Sequence, residues 1–189
     1  MKLVQKRQFS EHELTNHRLL NDQSKPVTDK WYNNKHWLYN DGGKSTSLKK
    51  DDNRNCAVRA LAIAFGLEYD HAYYYLMACG REHGRGTRRT TTDAVIKIGC
   101  ALTKATVTKV VLPKSVKIKT KDFCESAKDG VYLICQYGHI LCVIDGVCQD
   151  TFPSNNTIIE EIYKVDIDRD ADYLYTELNV TKQDYQCDF

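Results

Sequence analysis

Three residues of the 189-residue chain have types and positions that suit acyl-transfer chemistry: Cys56, His139 and Asp150. Cys56 opens CAVRALAIAF, an Ala-rich, apolar stretch whose only charge is Arg59 and which Gly66 terminates, so it reads as a buried helix. A thiol at the first turn of a helix lies in the field of the macrodipole and beside unpaired N–H groups. Both favour its thiolate, the nucleophilic form. The Cys56 N–H also points toward an oxyanion forming at an attacked carbonyl. His139 stands between Gly138 and the apolar run ILCVI, at the head of an expected strand. An imidazole of ordinary pKa near 6.5 accepts and returns a proton at neutral pH. Asp150 follows eleven positions later, with the Asp145-Gly146 turn between. A hairpin folded at that turn brings it close to His139, where a carboxylate holds the useful tautomer and stabilises the imidazolium.

Arg59 lies one helical turn beyond Cys56 and either pairs with an acid such as Asp52 or anchors the helix. The glycine-rich basic stretch GREHGRGTRR carries Arg81, His83 and Arg85, candidates for a substrate-facing loop. It lacks the GxxxxGK[ST] pattern of a phosphate-binding loop.

The elements that must position these residues fall into two kinds. Helical patterns come first: 56–65, then Tyr69 to Met77, then a short helix from Thr92 to Ile98 ended by Gly99. β-branched and apolar runs follow: ATVTKVVLP, VYLICQYG, HILCVIDG, VCQDTF and IIEEIYKVDI, with a short helix in KDFCESAKDG. Helices followed by an antiparallel meander argue for an α+β domain with the nucleophile helix packed on the sheet. Residues 1–50 form a separate opening segment, with a capped helix from Ser10 to Leu20 and an aromatic cluster of Trp31, Tyr32, Trp37 and Tyr39. The catalytic core is expected over 51–168 and an acidic tail over 169–189.

Composition bounds the remaining choices. Hydrophobic residues make up 42% and charged residues 28%, as in an ordinary globular protein. Net charge is +2, with 10 Lys/Arg against 5 Asp/Glu over residues 1–50 and 3 against 9 over 160–189. That basic bias is too weak for a nucleic-acid surface, so nucleic acid is not an expected partner. No apolar run suits a signal peptide or a membrane span, which places the chain in a reducing cytoplasm. The 8 Cys then read as thiols, and none has zinc-site spacing, so neither metal nor cofactor is expected.

The order Cys, His, Asp, with the Cys opening a helix and its partners on later strands, is that of papain-like enzymes. The pairing of NCAVRALA with GHILCVIDGVCQDT resembles small papain-like, C39-like cysteine peptidase-fold proteins often encoded by bacteriophages, over about residues 52–165. The resemblance implies a papain-like fold with Cys56 as nucleophile, His139 as base and Asp150 as third member. Papain-like enzymes usually carry Gln six residues before the Cys; here that position is Lys50, and Asn53 or Asn55 is the candidate side-chain oxyanion donor.

The expected function is a cysteine hydrolase, a peptidase or isopeptidase working through a thioester on a protein or peptide substrate. The phage resemblance makes a host protein the expected target. Two alternatives stand beside it. One is an acyltransferase or transglutaminase-like enzyme that uses an amine in place of water. The other is a non-catalytic binder or inhibitor on the same scaffold, with the aromatic opening segment as its contact surface.

Overall fold

A computed structural model describes residues 36–113 and 115–167 of the chain. The expected Ser10–Leu20 helix, Trp31, Tyr32 and the acidic tail lie outside the described residues. The architecture is mixed α+β: six strands form one mixed sheet, with helices against both of its faces.

In chain order the elements are β1 (Trp37–Tyr39), α1 (Cys56–Phe65), α2 (Tyr69–Ala78), α3 (Arg89–Thr103), β2 (Thr106–Val110), α4 (Thr120–Ser126), β3 (Val131–Gln136), β4 (His139–Ile144), β5 (Val147–Asp150) and β6 (Ile159–Asp166). The sheet order is β1-β5-β4-β3-β6-β2. All neighbours are antiparallel except β1 and β5, which run parallel with Tyr39 opposite Asp150.

Alternation along the central strands builds two cores. Val131 and Leu133 of β3, with Ile140 and Cys142 of β4, face α1, α2 and α3, where they meet Val58, Leu61, Phe65, Tyr69 and Leu76. Ile134, Leu141 and Val143 point the other way, against Phe123 and Cys124 of α4. A strand buried on both faces needs apolar residues at every position, and the unbroken run ILCVI meets that need. Full burial of a side chain such as Leu61 stabilises the fold by roughly 1.5–3 kcal/mol.

Tight turns join β3 to β4 to β5. At the β4–β5 hairpin, Ile144 pairs with Val147 across Asp145 and Gly146, whose φ values are +49° and +77°. Two positive φ angles are the signature of a type I′ turn, matched to strand twist and favoured by Asp-Gly. Gly146 is required for a second reason: a Cβ there would lie 2.6 Å from the Cys124 carbonyl oxygen.

Three expectations are corrected. The boundary at residue 50 falls inside the folded body, because β1 belongs to the sheet. The sheet is therefore mixed and not wholly antiparallel. The third helix runs from Arg89 to Thr103 and passes through Gly99 without stopping. Gly99 lies against the Phe65 ring, where a Cβ would come within 3.0 Å of its carbons, so the glycine permits close helix packing. Among the described residues no helix is long and apolar enough to cross a membrane.

Candidate active site

The structure brings Cys56, His139 and Asp150 together. Cys56 is the first residue of α1, His139 the first of β4 and Asp150 the last of β5. The β4–β5 register pairs Gln149 with Cys142, which sets Asp150 and His139 on the diagonal of the hairpin, not directly opposite. His139 Nε2 lies 2.6 Å from Asp150 Oδ2. A carboxylate only accepts, so Nε2–H donates and Nδ1 is left for the thiol. The imidazole of His139 and the backbone at Ile140 both act on the Cys56 thiol in the direction that favours its thiolate.

Asp150 is buried, with its side chain 2% exposed. Besides His139 it accepts from the Thr151 N–H at 2.7 Å and from Arg59 Nη2 at 3.0 Å, both on Oδ1. The Ser154 hydroxyl lies 3.5 Å from Oδ2. The half-exposed Phe152 ring packs tilted against the imidazole with centroids 4.9 Å apart.

The electrostatics favour a charged sulfur–imidazole pair. Burial pushes the His139 pKa down, but hydrogen bonds with Asp150 and Cys56 and the Asp150 charge outweigh it, and the pKa rises to about 9. Burial likewise pushes the Cys56 thiol up, yet the hydrogen bond and charge of His139, the Ile140 backbone and Arg59 bring it below its ordinary value. Cys100, Cys124, Cys135, Cys142 and Cys148 all shift the other way, because burial dominates at each. Cys56 is thus singled out by its partners and not by burial, which all of these thiols share.

The other candidates divide. Asn55 precedes Cys56 with its side chain engaged elsewhere: Oδ1 accepts from Arg59 Nη1 and Nδ2 donates to the Asp52 carbonyl. Asn55 also makes no side-chain cap, so α1 begins without a side chain over its first N–H groups. Asn53 and Lys50 are both exposed.

Arg81 is not a substrate-facing residue. It is fully buried beside the fully buried Asp52, with Nη2 2.6 Å from Oδ2. Burial disfavours an unpaired guanidinium, and the turn after α2 delivers Arg81 to the buried Asp52 carboxylate. Asp52 in turn accepts from the Gly84 N–H at 3.0 Å, which ties the glycine-rich loop to the segment entering α1. Of the two readings of Arg59, pairing with an acid holds, but the acid is Asp150, and Asp52 is met by Arg81. His83 is held between the Tyr73 hydroxyl, 2.9 Å from Nδ1, and Asp51, 3.4 Å from Nε2. Arg85 is exposed and pairs with Glu82 at 3.0 Å. Of the three loop candidates, His83 and Arg85 remain open to solvent.

Sequence reasoning missed Arg59 as a partner of Asp150 and did not single out Phe152. The signal for Arg59 was its isolation: a lone charge in an otherwise apolar helix needs a buried counter-charge. Among the described residues no cluster of His, Cys, Asp or Glu could hold a metal ion. Compared with protein-family models, with curated proteins and with solved structures, the chain matches none.

Proposed function

We propose that the chain is a cysteine hydrolase with a papain-like arrangement, cleaving an amide or isopeptide bond in a protein or peptide through a thioester. One observation carries this reading. His139 is held by a buried carboxylate and lowers the pKa of a thiol at the start of a buried helix, and that thiol alone among the shifted cysteines is lowered. A structural cysteine has no need of such a partner.

The geometry supports a definite sequence of steps. Cys56 Sγ, as thiolate, attacks the carbonyl carbon, and the carbonyl electron pair moves onto oxygen. The first N–H groups of α1 stabilise that oxyanion. Imidazolium His139 gives its proton to the departing nitrogen, the C–N bond breaks, and an amine leaves a thioester on Cys56. Water then attacks the thioester carbon while His139 takes its proton. The C–S bond breaks, the acid departs, and the thiolate–imidazolium pair is restored. Asp150 keeps Nε2–H occupied throughout, so Nδ1 always faces the reacting atoms.

The test is limiting iodoacetamide at about pH 6, where an ordinary thiol of pKa about 8.5 is almost wholly protonated. Mass spectrometry then shows which cysteines are alkylated in wild type and in His139→Ala. Labelling confined to Cys56 and lost in the variant is the expected result. Slow, scattered labelling that ignores the variant would leave a binding protein on an inactive scaffold.

A further inference from the structure

Arg59 has no part in the steps above, yet it touches both ends of the site. Its Nη2 donates to Asp150 Oδ1 at 3.0 Å, while Asp150 Oδ2 holds His139. Its Nη1 donates to Oδ1 of Asn55, the residue just before the nucleophile. Its own N–H donates to the Asn55 carbonyl at 3.0 Å, so the two residues are joined twice. The side chain is only 11% exposed. The chain at Gly42 presses on α1 at this level: a Cβ there would lie 3.1 Å from the Arg59 carbonyl oxygen, and the Gly42 φ is +66°.

Resting on the thiol-hydrolase reading, we propose that Arg59 is a positioning residue: its guanidinium pins the Asp150 carboxylate to the nucleophile's own helix, which fixes His139 relative to the Cys56 sulfur. A carboxylate held only by His139 can turn about its χ2 axis. With Oδ1 taken by Arg59 and the Thr151 N–H, Oδ2 is the oxygen left for the imidazole. Because Cys56 and Arg59 are three apart on one helix, they share a face, and the link between nucleophile and carboxylate is rigid.

The charges agree with this role. The groups that meet here are Cys56 and Arg59 from α1, His139 from β4, Asp150 from β5 and, near Arg59, the Tyr39 hydroxyl from β1 and the Tyr69 hydroxyl from α2. With the thiolate–imidazolium pair formed, two negative charges face two positive ones. Without Arg59 a single imidazolium faces both the thiolate and the carboxylate. Lysine in its place keeps the charge but cannot span Asp150 and Asn55 together, because it lacks the planar fork.

The experiment uses the full chain with Arg59→Met and Arg59→Lys. Cys56 alkylation by iodoacetamide is followed from pH 5 to pH 10, beside the urea midpoint of each variant. In Arg59→Met the inflection of the rate profile moves upward and the rate at pH 6 falls about tenfold, equivalent to one pKa unit. Arg59→Lys falls between that variant and wild type. A merely structural arginine would lower the urea midpoint and leave the inflection where it was, and that result overturns the proposal. If Arg59→Met does not fold, Arg59→Lys decides alone: a wild-type profile overturns the role and an upward shift upholds it. Wild type that shows no selective labelling of Cys56 defeats the hydrolase reading itself, and this role with it.

Discussion

Arg81→Met should unfold the chain far more easily while leaving the triad residues untouched. Methionine keeps most of the aliphatic stem and removes the guanidinium. Asp52 then stays fully buried with the Gly84 N–H as its remaining side-chain donor, and the Arg54 carbonyl loses the 2.9 Å bond it accepts from Nη2. Breaking a buried pair from one side destabilises by about 3–5 kcal/mol, because a charge is left without compensation. Two guanidinium nitrogens, Nε and Nη1, meet no protein partner, so the native pair is itself imperfectly compensated. The lower end of that range is therefore expected, about 3 kcal/mol, or a fall in Tm of about 6–12 °C for a chain of this size. Urea unfolding with linear extrapolation measures it directly. The double variant Asp52→Asn with Arg81→Met should recover part of the loss, since the orphaned charge is gone. A loss under about 1 kcal/mol is what a solvated surface pair gives. That result would refute both the burial of this pair and the anchoring of the 80–87 loop through it.

Two further outcomes follow from the packing and the charges. The raised pKa of His139, about 9 in the folded chain against about 6.5 unfolded, makes its interactions stabilising below pH 6.5, and that contribution is lost as pH rises through 9; urea midpoints at pH 6 and pH 10 should differ less in Asp150→Asn than in wild type, and equal differences would break the link. Gly99→Ala should destabilise by about 1 kcal/mol, overpacking of about 1–3 kcal/mol against the Phe65 ring outweighing the roughly 1 kcal/mol gain in helix propensity; Phe65→Leu in the same chain should reverse the sign, as thermal unfolding of the single and double variants would show.

The parts of the fold legible in the sequence are those set by local chemistry. Helix α1 reads because an Ala-rich, apolar run ends at Gly66, whose φ of +66° supplies the left-handed C-cap. The β4–β5 hairpin reads because Asp-Gly between two apolar runs selects one turn type. These two elements place Cys56, His139 and Asp150, so their convergence was legible for the same reason. What was missed depends on partners distant in sequence. Trp37–Tyr39 is three residues long and lies in a polar stretch; what makes it a strand is parallel pairing with β5, which leaves no local trace. Gly99 reads as a helix stop in isolation and becomes a packing contact only once Phe65 lies against it.

The exchange of ion pairs shows why the site's support was harder to read than its chemistry. Two arginines and two aspartates are involved, and nearness along the chain favours Arg59 with Asp52, seven positions apart. The fold instead joins Arg59 to Asp150 across 91 positions and Arg81 to Asp52 across 29. Desolvation accounts for both choices. Each carboxylate is nearly or fully buried, and a buried charge must be met by an opposite charge wherever the chain can deliver one. Arg81 leaves the end of α2 beneath the glycine-rich loop and meets Asp52 there, which frees Arg59 for the end of β5. Arg59, three positions beyond Cys56, therefore contacts Asp150, while a different arginine meets the nearer acid. The anchoring of the 80–87 loop and the hold on Asp150 thus come from two separate pairs, each set by the burial of its carboxylate.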